Sequence, residues 1–464
     1  MSSLCSLCDF LIYSTESTEK AQRNTEFYYY SNSNKKCYLC KKDKKLVKNR
    51  TNNIEIMSPV GSYESLMAAI QGGADSVYFG VGNLNMRSRS ATNFSMDDME
   101  KISAVCKENT VKTYLTVNTI VYDEEIEKAH QLIDAAKDCG ISAIIASDMA
   151  VIQYAFSKGV DVHISTQCNI TNSEAVRFFA KYANVMVTAR ELNLKQVREI
   201  VRKINEENIT GPLGNLIEIE LFVHGALCMA VSGKCYLSLD NFAYSANRGA
   251  CLQPCRRAYN VYDADDEINV LVEKEYIMSP KDLCTIGFLD KILQAGVKVL
   301  KIEGRGRSPE YVKTVTRCYR EATESYFAGT YCEEKVNQWM EDLQNVYNRG
   351  FWDGYYLGRK LGQWTQRYGS QAKKTKVFVG TVSNFFAKIG VAEIKIETNG
   401  LRIHDQFLII GPTTGVYEGI VNELRVDLKP VDAVEKGSLC SIKTHDVVRR
   451  NDKVYKVVTC CDLD

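Results

Sequence analysis

From Ile54 onward the chain alternates short apolar runs rich in β-branched residues with amphipathic stretches of helical period. The runs cover residues 54–57, 76–80, 112–117, 143–146, 160–165, 185–188, 217–223 and 299–302. Apolar positions with helical spacing lie between them at Tyr63–Gln71, Met96–Glu108, Glu124–Cys139, Ser173–Tyr182 and Leu194–Glu206. Continuous apolar runs, each followed by a helix, are what parallel strands buried on both faces require. Eight such units predict an α/β fold, a (β/α)8 TIM-type barrel. The doubly wound sheet is the rival, but MSPVGSYES follows the first run where that fold would place a Gly-rich phosphate turn. One long excursion separates the seventh and eighth runs, and it contains Tyr276–Leu283 as a further segment. An insertion on a βα connection belongs at the C-terminal mouth of a barrel, where the chemistry of this fold is found.

Residues 306–348 are helical in pattern and lead through a Gly/aromatic stretch to the polar linker Gln366–Thr375. From Lys376 the pattern is all-β with Gly, Pro and Asn between runs, which predicts a small C-terminal β-barrel over 376–460. The domain reading is therefore a polar leader at 1–52, a TIM-like domain at 53–365 with an insertion at 224–260, and the β module. The leader has no sustained period and is expected to be disordered. Its Cys5-x-x-Cys8 and Cys37-x-x-Cys40 pairs leave a zinc knuckle as the alternative.

The excursion holds the sharpest chemical signal. A uniform spread of 17 cysteines would put about one or two in residues 218–257, which hold Cys228, Cys235, Cys251 and Cys255. Turn-forming Gly225, Gly233, Gly249 and Pro254 and the cations Arg248, Arg256 and Arg257 surround them. Tight turns and nearby positive charge favour thiolates converging on a metal. The gaps of six, fifteen and three residues differ from the paired CxxC knuckles of a zinc ribbon. The expectation is an iron–sulfur cluster, with zinc as the alternative, because spacing by itself does not separate them.

Composition narrows the setting. Of 464 residues, 45% are hydrophobic and 25% charged, as in ordinary globular proteins. No apolar run approaches the length of a membrane span, and the N-terminus lacks the basic and apolar regions of a secretory signal. Seventeen cysteines in such a chain suggest metal or redox work in the reducing cytoplasm rather than a disulfide framework. The net charge of +1 divides into +5 over 1–52, zero over 376–464 and −4 between. Any contact with nucleic acid must then come from local patches.

Polar residues at the ends of barrel strands are the default site candidates. These are Ser58, Asn118, Ser147, Asp148, Ser165, Gln167, Asn169, Arg190 and Glu191. Each competes with a helix-cap or structural hydrogen-bond role. His163 lies inside a predicted strand and reads as a packed core histidine. His224, at the end of the seventh run, reads as an acid/base or a neighbour of the metal centre. Asp148, Gln167, Glu191 and His224 form the catalytic set. Arg248, Arg256, Arg257, Lys301 and Arg305, with Arg307 beside them, form the cofactor or anion set, since guanidinium forks take carboxylate or phosphate. Arg87 and Arg89 are a second anion or RNA contact.

Residues 220–228 (ELFVHGALC) and 233–238 (GKCYLS) resemble the signature of the U32 family, the collagenase-like "peptidases". The resemblance extends over about 53–460 and includes MSPVGSYESLMAAIQGGADSVYFG and VLKIEGRGRS. The chain is most similar to the branch that hydroxylates the wobble uridine of transfer RNA to 5-hydroxyuridine, whose relatives act on ribosomal RNA or ubiquinone. The resemblance implies a [4Fe–4S] cluster on Cys228, Cys235, Cys251 and Cys255, prephenate as a dicarboxylate co-substrate, an anticodon loop as partner and an unidentified electron donor. A uridine splayed from such a loop would stack on an aromatic, for which Tyr78, Tyr114 and Tyr236 are available. The family's older label implies a protease instead, yet no Ser/His/Asp or Cys/His constellation and no HExxH motif is evident among five histidines. A metal-binding accessory protein without its own catalysis is the third class.

Overall fold

The structure is a computed structural model that describes residues 54–89, 91–260, 276–358 and 362–460. The polar leader with its two CxxC pairs lies outside the described residues. Strands β1 (Glu55–Pro59), β2 (Ser76–Phe79), β3 (Lys112–Val117), β4 (Ala143–Ala146), β5 (Val162–Ile164), β6 (Val185–Val187) and β7 (Glu218–Gly225) pair in parallel, each with the next. After the excursion come β8 (Asp282–Cys284) and β9 (Val299–Ile302). Strand β9 pairs in parallel with both β1 and β7, so eight strands close into a barrel. The expected (β/α)8 architecture is present.

The helices stand where the apolar periodicity put them, and the local sequence explains their starts. Helix α1 (Tyr63–Gln71) begins at Ser62, whose hydroxyl accepts from the Ser65 amide. It is followed by α2 (Asp98–Glu108) and α3 (Ile126–Asp138). Asp148 caps α4 (Met149–Ser157), and Asn172 caps α5 (Ser173–Phe179). Asn193 and Gln196 form a reciprocal capping box on α6 (Leu194–Glu206). Short α7 (Leu237–Phe242) lies within the excursion, and α8 (Leu289–Gln294), α9 (Pro309–Phe327) and α10 (Glu333–Asn345) complete the set.

Met57, Tyr78, Tyr114, Ala143, Ile145, Val185 and Val299 form a separate cluster within the strands. Into this layer the sequence also brings Glu220, Lys301 and His163, all buried. The Lys301 Nζ donates to Glu220 Oε1 at 2.6 Å.

The chain does not cap β7 with a helix. It carries β7 beyond the barrel rim and returns β8 antiparallel to it, pairing His224 with Cys284 and Gly225 with Leu283. The segment singled out at Tyr276–Leu283 thus leads into an extra strand, to which β10 (Phe351–Trp352) adds in parallel. At Gly225 the backbone turns through φ +108°, and an added Cβ would sit 2.5 Å from the Glu303 carbonyl oxygen. Only glycine fits that turn without displacement.

Residues 374–459 form antiparallel strands around a second core that includes Val379, Ile394, Phe407 and Ile442. This layer is docked on the barrel. Gln71 on α1 donates to the Thr414 carbonyl and accepts from the Val416 amide, both at 2.9 Å. Lys376 also pairs with Glu310 at 2.7 Å. Among the described residues no helix is long and apolar enough to cross a membrane.

The turn at the end of β7 yields a first prediction. Gly225→Ala should destabilise the protein by about 2 kcal/mol or more, from left-handed backbone strain plus the clash with Glu303. Denaturant unfolding followed by fluorescence measures it; an unchanged midpoint would show that the turn tolerates a side chain.

Candidate active site at the barrel mouth

The excursion lies across the C-terminal end of the barrel and is held there by the loops after β2, β3 and β5. Ser88 Oγ donates to the Gly249 carbonyl at 3.1 Å, and the Ile120 amide to the Asn247 carbonyl at 3.3 Å. Asn169 donates to the Ser232 carbonyl at 3.2 Å. Arg248 forks onto Glu125 with bonds of 2.5 and 2.7 Å and lies 3.8 Å from the Tyr122 ring centroid. Arg248 is therefore a strap for the insertion, engaged with a carboxylate, and it does not line the cavity beneath.

That cavity, of about 260 Å³, lies between the insertion and the barrel. Cys228, Cys235, Cys251 and Cys255 all line it. The four thiols are electrostatic neighbours. Burial raises the Cys235 thiol, and it pushes Cys255 up to about 11; repulsion from the other cysteines adds to both, while Arg256 opposes it at Cys255. Ionising all four together is unfavourable unless a cation joins them. Among the described residues no three His, Cys, Asp or Glu side chains are close enough to ligate one ion. Four thiolates on one zinc would need sulfurs about 3.8 Å apart, from a tetrahedron with Zn–S of about 2.3 Å. A cubane spreads its thiolates over separate irons and suits a wider set. Four thiols on one wall are the donor type that an iron–sulfur cluster or an all-cysteine zinc site takes.

Arg87, Arg190, Arg256, Lys301, Arg305, Arg307 and Arg349 also line the cavity, against Glu303 as the one carboxylate. Their engagements differ. Arg87 pairs with Glu303 at 2.7 Å. Arg256 is buried and donates to the Ser279 hydroxyl and to the Pro280 and Leu227 carbonyls, clamping the chain around Cys255. Arg307 and Arg349 flank Asp282, at 3.9 and 3.5 Å, and burial raises that carboxyl despite both cations. Lys301 is turned toward Glu220. Arg305 is buried yet bonds only neutral oxygens, Thr116 Oγ1 at 3.1 Å and Asn85 Oδ1 at 2.9 Å. Burial lowers its guanidinium to about 10. An added Cβ on Gly80 would sit 2.4 Å from Arg305 Nη1, so the glycine ending the YFG motif is what admits this side chain. Its buried charge is met in these bonds by neutral oxygens rather than by a carboxylate.

The profile of Peptidase family U32 matches residues 61–366. The chain belongs to the U32 peptidase family. It is 56% identical over 405 residues to a collagenase of Porphyromonas gingivalis, covering 87% of this chain and 98% of that one. It is 32% identical over 370 residues to tRNA hydroxylation protein P1 of Bacillus subtilis, covering 78% and 84%. It is also 34% identical over 317 residues to the 23S rRNA 5-hydroxycytidine C2501 synthase of Escherichia coli, covering 67% of this chain and 46% of that one.

The remaining candidates from the sequence divide into groups. Gln167 lines the cavity and takes a short hydrogen bond from Ser165, which in turn accepts from Asn118 at 3.3 Å. His224 lines the same cavity, packed among the rings of Tyr311, Tyr319 and Phe351, with Tyr319 Oη 3.4 Å from Nδ1. Burial, with Arg307 nearby, pushes it down to about 3, so it is a neutral imidazole at physiological pH. Asp148 accepts from the Ala150 and Val121 amides as a helix cap. Ser147 donates to the Asn118 carbonyl, and Ser58 is hydrogen-bonded with Thr316; neither lines the cavity. Glu191 is exposed outside it, as is Arg257, 5.0 Å from the Phe242 ring. Arg89 lies over Tyr244. Of the three tyrosines considered for stacking, Tyr114 is buried, Tyr78 is turned inward onto the Ile302 carbonyl, and Tyr236 is 73% exposed.

Sequence reading missed Glu303, Asp282 and Arg349. Asp282 stands in the segment that was singled out, but nothing in its neighbours told that two distant arginines would enclose it. Tyr122 and Glu125 were hidden for the same reason, since their partner Arg248 arrives from 123 residues away.

The buried neutral His224 sets a pH dependence. Its folded value lies below the ordinary unfolded one of about 6.5, so the unfolded chain binds the proton more readily. Its contribution is whole above about pH 6.5 and is lost as pH falls toward 3. Between pH 7 and pH 5 the protein should lose about 2 kcal/mol through this group, and His224→Gln should flatten that part of the profile. Chemical denaturation at the two pH values checks it; an equal loss in both proteins would contradict the assignment.

Proposed function

We propose that this protein is an iron–sulfur-dependent RNA-modifying enzyme that hydroxylates the wobble uridine of transfer RNA to 5-hydroxyuridine. One observation carries the reading: four cysteine thiols and an excess of guanidinium groups line one cavity at the catalytic end of a TIM barrel. The relatives named for tRNA and rRNA hydroxylation support the substrate class. In this reading Cys228, Cys235, Cys251 and Cys255 hold a [4Fe–4S] cluster. When bound there, such a cluster would supply or relay single electrons, delivered by a partner of unidentified chemistry.

The chain's own residues account for the rest. Arg305, fixed by Thr116 and Asn85, holds a carboxylate of a dicarboxylate co-substrate such as prephenate, with Arg307 and Arg349 on the same wall. The negative charge of four thiolates and an anion is offset by the cavity's cations. A uridine splayed out of a single-stranded loop enters over the insertion, where Tyr236 offers an exposed face and Tyr122 and Tyr244 stand beside guanidinium groups. The neutral His224 and the Ser165–Gln167 pair orient polar groups by hydrogen bonds rather than by charge.

The collagenase-named relative at 56% identity favours a second reading, a peptidase. It would have to work without an activated nucleophile at the mouth. His224 is hydrogen-bonded to Tyr319 there rather than to a serine or cysteine.

Two tests follow. Deleting the gene should remove 5-hydroxyuridine and its derivatives from digested bulk transfer RNA, read by mass spectrometry, and a Cys228→Ser copy should fail to restore them. Undiminished modified nucleosides in the deletion would refute the reading, and collagen cleavage by metal-free protein would support the peptidase instead. In the purified protein Arg305→Gln should weaken prephenate binding about tenfold or more, the worth of one charge-assisted pair. Unchanged affinity by calorimetry would place the anion elsewhere.

A further inference from the structure

A second cavity, of about 1240 Å³, opens at the opposite, N-terminal end of the barrel. Glu55, Lys112, Tyr114, His163, Glu218 and Lys298 are among the residues on its wall. The barrel interior between the two cavities is not the plug of branched aliphatic side chains usual for this fold. His163 lines the lower cavity and Lys301 the upper one, and Glu220 stands between them. Glu220 Oε1 accepts from Lys301 at 2.6 Å, and Glu220 Oε2 faces His163 Nδ1 at 3.8 Å. The three are 0%, 4% and 6% exposed for Glu220, Lys301 and His163.

The His163–Glu220 gap is the informative part. Both atoms are buried, and neither has a hydrogen-bond partner among the described residues. Unsatisfied buried polar atoms are rare in folded proteins, and two that face each other form an incomplete bond. A shift of the imidazole by about an ångström brings Nδ1 into hydrogen-bond range. A purely structural ion pair would need only Lys301 and Glu220; the histidine adds an imidazole, a side chain able to carry a proton on either ring nitrogen.

We infer that His163, Glu220 and Lys301 form a proton relay that joins the lower cavity to the cysteine-lined cavity through the barrel axis. Lys301 protonates an acceptor in the upper cavity and is left as the amine. Imidazolium His163 then gives its Nδ1 proton to the Glu220 carboxylate, the Glu220 carboxyl passes it to the Lys301 amine and is a carboxylate again, and His163 regains a proton from water in the lower cavity. One proton crosses and no electron moves. The charged and titratable groups facing the relay include Tyr78 from β2, whose ring centroid lies 4.8 Å from Lys301 Nζ, Tyr114 and Lys112 from β3, Glu55 from β1, Glu218 from β7 and Lys298 beside β9. Tyr114 packs on His163 with ring centroids 4.4 Å apart and is held by Glu55 at 2.7 Å, which fixes the imidazole's lower side. The relay rests on the proposed hydroxylation only for the acceptor it serves.

The test has an arm independent of that activity. In the full chain labelled at histidine carbon ε1, the five imidazole signals can be followed by NMR against pH. Glu220→Gln should lower the His163 midpoint by one pH unit or more, because it removes the carboxylate that favours imidazolium. His130, His404 and His445 should be unmoved. If that variant does not fold, Glu220→Asp, which withdraws the carboxylate, should shift the midpoint the same way. A His163 signal that never titrates, or that ignores Glu220, overturns the relay. In the hydroxylation assay His163→Gln should slow product formation about tenfold, and millimolar imidazole should restore it in proportion to its protonated fraction. A loss that imidazole does not restore also overturns it. Wild-type protein that forms no hydroxylated nucleoside would refute the proposed function, and the titration would still decide the relay.

Discussion

The parallel pairing of β7 with β9 is the contact on which the rest depends. It closes the barrel across a gap in sequence that runs from Gly225 to Val299. The described stretch that follows β7 directly, residues 226–256, is the part that covers the mouth. The extra β8 and β10 strands seal one side, and hydrogen bonds from the β2, β3 and β5 loops fasten the other. Four cysteines far apart in sequence thereby face one cavity, although their own segment has little regular structure. The glycine at 225 is the price of turning the chain so sharply beside Glu303.

Electrostatics gives the cavity its character. Guanidinium groups outnumber carboxylates on its wall, and much of that charge is buried, where an unpaired ion is costly. The protein offsets part of it internally, through Glu303 for Arg87 and Asp282 for Arg307 and Arg349. Arg305 has no such internal partner within bonding distance, and the thiols are poor anions until something draws them together. A negatively charged ligand and a metal centre would complete the balance from outside.

The barrel was legible because buried parallel strands and amphipathic helices leave strong periodicities, and the eight runs fell on the eight closing strands. The return strand β8 was not, since three residues beside a turn carry no period. That the four cysteines would come to one cavity was legible from their density and the turns around them. Arg248 and Asp148 were misleading for a common physical reason. A cation near a cysteine or an acid at a strand end looks the same in sequence whether it faces the cavity, as Arg305 does, or ties down a helix or loop. Glu125 and the Ala150 amide, which decide the matter, belong to other elements. Glu220 hid inside an apolar strand where an alternating pattern would have exposed it, but fully buried strands show no alternation.

The central claim is that the four sulfurs share one inorganic centre above the barrel. Anomalous diffraction at the iron edge, from crystals grown without oxygen, tests it most directly. The account predicts an iron peak inside the cavity, bordered by the sulfurs of Cys228, Cys235, Cys251 and Cys255. An empty cavity in iron-replete protein, or a single zinc peak held by only some of those sulfurs, would contradict it.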